Sequence, residues 1–125
     1  MATTTFTKTL GKRVLLVDDD PSARQSIKLL LSIDRHAVTE AENGPAALQI
    51  FANQPFDLVI LDYAMPQMQG GELTALIKQV KPRQPILMIT AYVEKLVVSD
   101  APVDAILGKP FGIDDLRQAI SKLLG

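Results

Sequence analysis

The chain has no cysteine and no tryptophan, a single histidine, and only four phenylalanines and two tyrosines in 125 residues. Without thiols there is neither a disulfide framework nor a thiolate metal centre. Aromatics make up 5% against 47% hydrophobic residues, so the core must be aliphatic. Thirteen basic and fourteen acidic residues leave a formal charge of −1, which gives no electrostatic case for nucleic acid or an anionic membrane. No apolar run approaches the ~20 residues of a membrane span, and the Thr-rich start lacks the apolar stretch of a secretory leader. A cytoplasmic protein is expected. Neither a P-loop nor the dinucleotide-binding glycine fingerprint occurs, so nothing supports a glycine-cradled nucleotide.

The length fits one domain, burying about two-thirds of its unfolded surface. Residues 1–11 read as a flexible N-terminal tail and residues 12–125 as the folded domain. Within it, strand and helix patterns alternate five times. Val14–Val17 is a continuous apolar run, as in a strand covered on both faces. Asp20-Pro21 reads as a helix start, the carboxylate capping free N–H groups and proline occupying the first helical position. Ile27, Leu30 and Leu31 form that helix's buried stripe. His36–Ala41 is a second strand, and Gly44-Pro45 opens a helix with Leu48 and Phe51 inward. Asp57–Leu61 is the third strand, and Gly70–Val80 a helix with Leu73, Leu76, Ile77 and Val80 at helical spacing. Pro85–Ile89 is the fourth strand, Tyr92–Ser99 a short fourth helix, and Val103–Leu107 the fifth strand. Ile113–Leu124 closes the chain with Ile113, Leu116, Ile120 and Leu123 on one face. Such alternation implies an α/β fold, a doubly wound parallel sheet with helices on both faces.

Polar residues follow four of the apolar runs: Asp18-Asp19, Asp62, Thr90 and Lys109. In an open parallel sheet, ligands bind outside the carboxyl ends of the strands. An order placing the first strand beside the third brings the aspartates together. Two carboxylates about 4 Å apart repel by roughly 4 kcal/mol at an effective dielectric of 20, so three in one cleft need a cation or a bound proton. Hard oxygen donors without Cys or paired His favour Mg²⁺ (or Mn²⁺). Asp62, between acids and cation, is the best nucleophile towards phosphorus. Lys109 can hold one phosphoryl oxygen as a point charge and Thr90 another by hydrogen bond. Asp20 is assigned to the helix cap. Asp57 enters the third strand roughly 17 Å from Asp62 at ~3.3 Å per residue, too far to join. His36 starts the second strand and serves no triad in this cleft. A haloacid-type phosphatase would want D-x-D-x-T after the first strand, where this chain has Asp18-Asp19-Asp20-Pro21.

Four segments now carry a resemblance: Val14–Pro21, Leu61–Gly70, Ile89-Thr90-Ala91 and Lys109-Pro110-Phe111. In this order and spacing the chain resembles the receiver domains of bacterial two-component response regulators, over about residues 12–124. The resemblance implies a (βα)₅ fold with strand order 2-1-3-4-5. It implies phosphotransfer to Asp62 from the phosphohistidine of a sensor histidine kinase or a histidine phosphotransfer protein. Asp19 and Asp62 would ligate Mg²⁺ directly, with the backbone carbonyl of Ala64, and Asp18 through water. Thr90 and Lys109 match the switch hydroxyl and the phosphate-binding lysine. The activity implied is self-catalysed phosphotransfer and autodephosphorylation, without turnover of an external substrate.

Three departures from the family pattern follow. Ile106, three before Lys109, stands where many members carry Tyr or Phe. The stretch from Thr90 to Lys109 is short, which predicts a short or irregular fourth helix. No output module is recognisable before Gly125, so a stand-alone shuttle and a receiver cut from a longer protein such as a hybrid kinase are both open. Ala64 and Tyr92 border the path of the hydrolytic water in the family, and the bulk of Tyr92 predicts slow self-dephosphorylation. Family analogy adds an unidentified downstream protein and a homodimer through the face of the fourth and fifth helices. The rival reading is a pseudo-receiver, a protein-binding module with vestigial acids; a metal-dependent phosphatase on the same fold is a weaker third.

Overall fold

A computed structural model describes residues 9–92 and 102–125. Five parallel strands lie in the order β2-β1-β3-β4-β5: β1 (Arg13–Val17), β2 (Ala37–Ala41), β3 (Leu58–Asp62), β4 (Ile86–Thr90) and β5 (Ala105–Gly108). Four helices are seen among the described residues: α1 (Pro21–Ile33), α2 (Gly44–Asn53), α3 (Gly70–Val80) and α4 (Ile113–Leu124). The doubly wound architecture and strand order are those expected. Of the fourth helix expected over Tyr92–Ser99, Tyr92 is irregular and the remainder lies outside the described residues. So does Met1–Lys8 of the expected tail, whereas the Gly11 N–H donates to Asp34 O at 3.0 Å.

Alternation along the central strands sorts the core into two layers. Leu15, Val17, Val59, Leu61, Ile86 and Met88 face α2 and α3, where Ala47, Phe51, Leu73 and Ile77 meet them. Val14, Leu16, Leu58, Ile60, Leu87 and Ile89 face α1 and α4, against Ile27, Leu31, Leu116 and Ile120. β1, β3 and β4 are therefore buried on both sides, which is why they read as unbroken apolar runs.

Several boundaries shift by a residue or two, each for a local reason. β2 starts at Ala37 because His36 is engaged elsewhere. Its N–H closes the end of α1 on Leu31 O, and its Nδ1 accepts from Lys12 N at 3.0 Å. Asp57 precedes β3, with its carboxylate accepting from Arg13 N at 2.8 Å. β5 begins at Ala105, and Asp104 just before it is joined to β4 twice: its N–H donates to Ile86 O at 3.0 Å, while its carboxylate accepts from Ile86 N at 2.8 Å and also from Lys78 Nζ at 2.8 Å. In α3 the buried stripe is rotated towards Thr74, which is buried beside Leu73 and Ile77. That rotation leaves Leu76 half-buried and Val80 71% exposed, contrary to the expected stripe.

Candidate functional site

β1 and β3 are neighbours, and register pairs Val17 with Leu61. Their next residues, Asp18 and Asp62, therefore leave the sheet side by side. β4 pairs Ile89 with Asp62, and β5 pairs Gly108 with Thr90. The Lys109 N–H donates to Thr90 O at 2.8 Å. All the polar strand-end residues singled out from the sequence thus collect at one edge of the sheet.

The acids do converge. Each of Asp18, Asp19 and Asp62 offers a carboxylate oxygen within 4.8 Å of the others. Asp18 is 2% exposed, Asp62 9%, and Asp19 lies at the surface. Lys109 Nζ stands 3.1 Å from Asp62 Oδ1. Burial pushes both buried carboxyls above the ordinary aspartate range. For Asp62 the hydrogen bond and charge of Lys109 pull the other way, as does the Ala64 N–H. For Asp18 the Asp20 N–H opposes burial, and the Asp62 charge adds to it.

Local structure aims these groups. Asp18 Oδ1 accepts from Asp20 N at 3.0 Å, which fixes the carboxylate's rotation. Its Oδ2 is left buried with no hydrogen-bond partner among the described residues. Asp20 turns away from the cleft and caps α1, accepting from Ser22 N at 3.0 Å. Thr90 is buried, and its hydroxyl oxygen accepts from Tyr92 N at 2.8 Å. Tyr92 itself is exposed, and Ile106 is 36% exposed on the face of β5 opposite Ala105 and Leu107. Gly70 lets the loop after β3 fold back onto the strand end. Its N–H donates to Tyr63 O at 2.9 Å, and a Cβ there would lie 2.6 Å from Asp62 O.

The donor set is all hard oxygen, two of its carboxylates are desolvated, and one buried oxygen is unpaired. Those properties fit a divalent cation of the Mg²⁺ type. One participant was missed from sequence: Arg24, whose guanidinium reaches the Asp18 carbonyl oxygen at 2.7 Å. The available signal was its place one helical turn beyond Asp20, where its side chain can reach back over the loop.

The family model of the response regulator receiver domain matches residues 14–121. The response regulator receiver protein CpdR of Brucella abortus is 36% identical over 116 residues, covering 90% of this chain and 97% of that protein. Response regulator MprA of Mycobacterium sp. strain KMS is 36% identical over 115 residues, covering 90% of this chain and 50% of MprA. The chain thus spans about half the length of the MprA relatives it matches. Among solved structures, response regulator TrrA of Thermotoga maritima in complex with Mg(2+)-BeF matches with a TM-score of 0.84 at 37% identity, covering 90% of this chain and 99% of that one. TrrA has also been solved in complex with histidine kinase ThkA, with a TM-score of 0.82 over 91% of this chain and 99% of the other, again at 37% identity. Sequence and fold agree: the chain belongs to the response regulator receiver domain family.

Proposed function

We propose that this chain is a phosphorylation-controlled switch in a two-component or phosphorelay system, with Asp62 as the phosphoacceptor. The observation that carries this reading is the Lys109–Asp62 pair, 3.1 Å apart, beside three converging carboxylates. An Asp62 oxygen attacks the phosphorus of a phosphohistidine; the phosphorus–nitrogen bond breaks, and the histidine nitrogen keeps the electron pair. Lys109 stays near the transferred group and offsets its charge. Thr90, at the neighbouring strand end, donates its hydroxyl hydrogen to a phosphoryl oxygen. Asp19, Asp62 and the Ala64 carbonyl would hold Mg²⁺ directly, and Asp18 through water. When bound, Mg²⁺ supplies neutralisation of the phosphoryl oxygens, which is most of what phosphoryl transfer requires.

The added phosphoryl brings up to about two negative charges. Movement of Thr90 and Lys109 towards them biases a two-state equilibrium on the face around β4 and β5. The TrrA complexes support both the cation and a histidine kinase as donor. Residues 12–125 form the receiver in this reading, with residues 1–11 as an N-terminal extension. A downstream protein, or a second copy on the β5 side, would read the switched face. No helix among the described residues is long and apolar enough to cross a membrane, in keeping with the cytoplasmic setting we propose.

The test is NMR with Mg²⁺ and beryllofluoride, which mimics the phosphoryl group. Amide shifts should move around Thr90 and over residues 92–106, and Asp62→Asn should abolish the response. The same response in Asp62→Asn would remove Asp62 as acceptor. A pseudo-receiver would neither bind the ion nor gain mass from acetyl phosphate; the complete set of Asp18, Asp19, Asp62, Thr90 and Lys109 speaks against that reading.

A further inference from the structure

The main chain of Asp18 is held on both sides by β2. Its N–H donates directly to Ala41 O at 3.1 Å. Its carbonyl oxygen is held through an intermediary: Arg24 Nη1 donates to it at 2.7 Å, while Arg24 Nε donates to Glu40 Oε1 at 3.0 Å. The other carboxylate oxygen of Glu40 accepts from Lys28 Nζ at 3.1 Å. The Arg24 side chain is only 17% exposed. The hydrogen bond from Lys28, more than that from Arg24, holds the Glu40 carboxyl below its ordinary range.

This arrangement is unlike simple charge neutralisation. A cation placed to neutralise the acids would face a carboxylate oxygen of Asp18, Asp19 or Asp62. Arg24 faces the carbonyl of the peptide joining Asp18 to Asp19, and the rigid guanidinium fork fixes direction as well as distance. One peptide further on, the Asp20 N–H fixes Asp18 Oδ1 at 3.0 Å. Between these two restraints the Asp18 carboxylate has little freedom to turn away, and the main chain that carries Asp19 is held at its preceding peptide.

We propose that Arg24, oriented by Glu40, is a positioning residue of the acid pocket: it fixes the Asp18–Asp19 peptide so that both carboxylates meet a divalent cation without rearranging. This rests on the Mg²⁺ reading of the pocket. Groups that orient metal ligands commonly change affinity by about 10–100-fold when removed, because the ordering cost then falls at the moment of binding.

The experiment measures Mg²⁺ dissociation constants by titration calorimetry on the full chain, alongside hydrogen exchange of the metal-free protein. Arg24→Met keeps the stem and loses the fork; it should weaken Mg²⁺ about tenfold and speed exchange at the Asp20 amide. Glu40→Gln retains an acceptor for Arg24 but not the charge, and should lose about threefold. Lys28→Met breaks the same network away from the loop and should stay within about twofold of wild type. Unchanged affinity in Arg24→Met overturns the proposal and leaves Arg24 a scaffold element; tighter binding overturns it in favour of plain repulsion. If Arg24→Met does not fold, Arg24→Lys and Glu40→Gln decide, since a lysine amine cannot satisfy both acceptors in the same geometry; wild-type affinity in both overturns the proposal. A wild-type chain that takes up no Mg²⁺ removes the metal reading and this proposal with it. Equal binding by wild type and Arg24→Met removes the role of Arg24 alone.

Discussion

Lys109 reaches Asp62 across the end of an intervening strand. Asp62 ends β3, Lys109 follows β5, and β4 lies between, yet Nζ and Oδ1 are 3.1 Å apart. The ammonium thus spans the end of β4, where Thr90 sits, and any group attached to Asp62 must share space with both. Replacing the amine tests this directly. Lys109→Met should cut the initial rate of phosphorylation by acetyl phosphate on the order of 100-fold, the usual scale for losing one charge-stabilising donor. The same variant should raise the Asp62 pKa further, since Lys109 now offsets part of the effect of burial. Carboxyl carbon NMR titration would measure the second effect independently of the first.

Asp18 gives a pH signature. Burial raises its pKa in the fold above the ordinary value of 3.8. Between that ordinary value and the raised one, the folded chain binds a proton that the unfolded chain does not, so this group's contribution to stability falls as pH rises. Asp18→Asn should therefore unfold at a higher temperature than wild type at neutral pH without metal. Its advantage should shrink as pH falls towards 3.8. Adding Mg²⁺ should reverse the order at neutral pH, because the cation compensates the carboxylate and not the amide. Thermal melts at several pH values, with and without Mg²⁺, would show all three trends.

Gly70 is held by close approach. Its Cα faces the end of β3, and a methyl group there meets Asp62 O at 2.6 Å and Tyr63 Cα at 3.0 Å. Backbone cannot yield as a flexible side chain would. Gly70→Ala should destabilise the fold by about 1–3 kcal/mol, measured by urea unfolding, and should displace the Asp62 amide resonance.

In the proposed cycle the Tyr92 ring is expected to lengthen the lifetime of the acyl phosphate. Its backbone N–H is bonded to Thr90 Oγ1 at 2.8 Å, which places the residue at the rim of the site with an exposed ring. Tyr92→Ala preserves the N–H and removes the ring, so the acyl phosphate should hydrolyse several-fold faster by radiolabel decay. Equal decay rates would show that the ring does not screen the attacking water.

The apolar runs of β1, β3 and β4 announced themselves because strands buried on both faces have no polar alternation to blur them. The acids, Thr90 and Lys109 were visible for a related reason: a polar residue ending such a run has nowhere to go but the sheet's edge. Strand order was a different matter, since each run looks alike whatever its neighbour; it came from the resemblance. Contacts between distant segments stayed hidden. Nothing local marks Glu40 as the anchor of Arg24, or Asp104 as a partner for the Ile86 N–H. Periodicity also misplaced Val80, because a helical stripe is a band, and burying Thr74 rotated it.

That Asp104 carboxylate has a mechanical consequence. By joining Ile86 N and Lys78 Nζ, it rivets the foot of the outermost strand to the sheet and to α3, at the pole remote from the acids. The opposite end of β5 is tied as well, Gly108 pairing with Thr90 and the Lys109 N–H donating to Thr90 O at 2.8 Å. With its foot held, β5 cannot slip lengthwise past β4, and a pull on Lys109 by a phosphoryl group is handed sideways to β4 through that last bond.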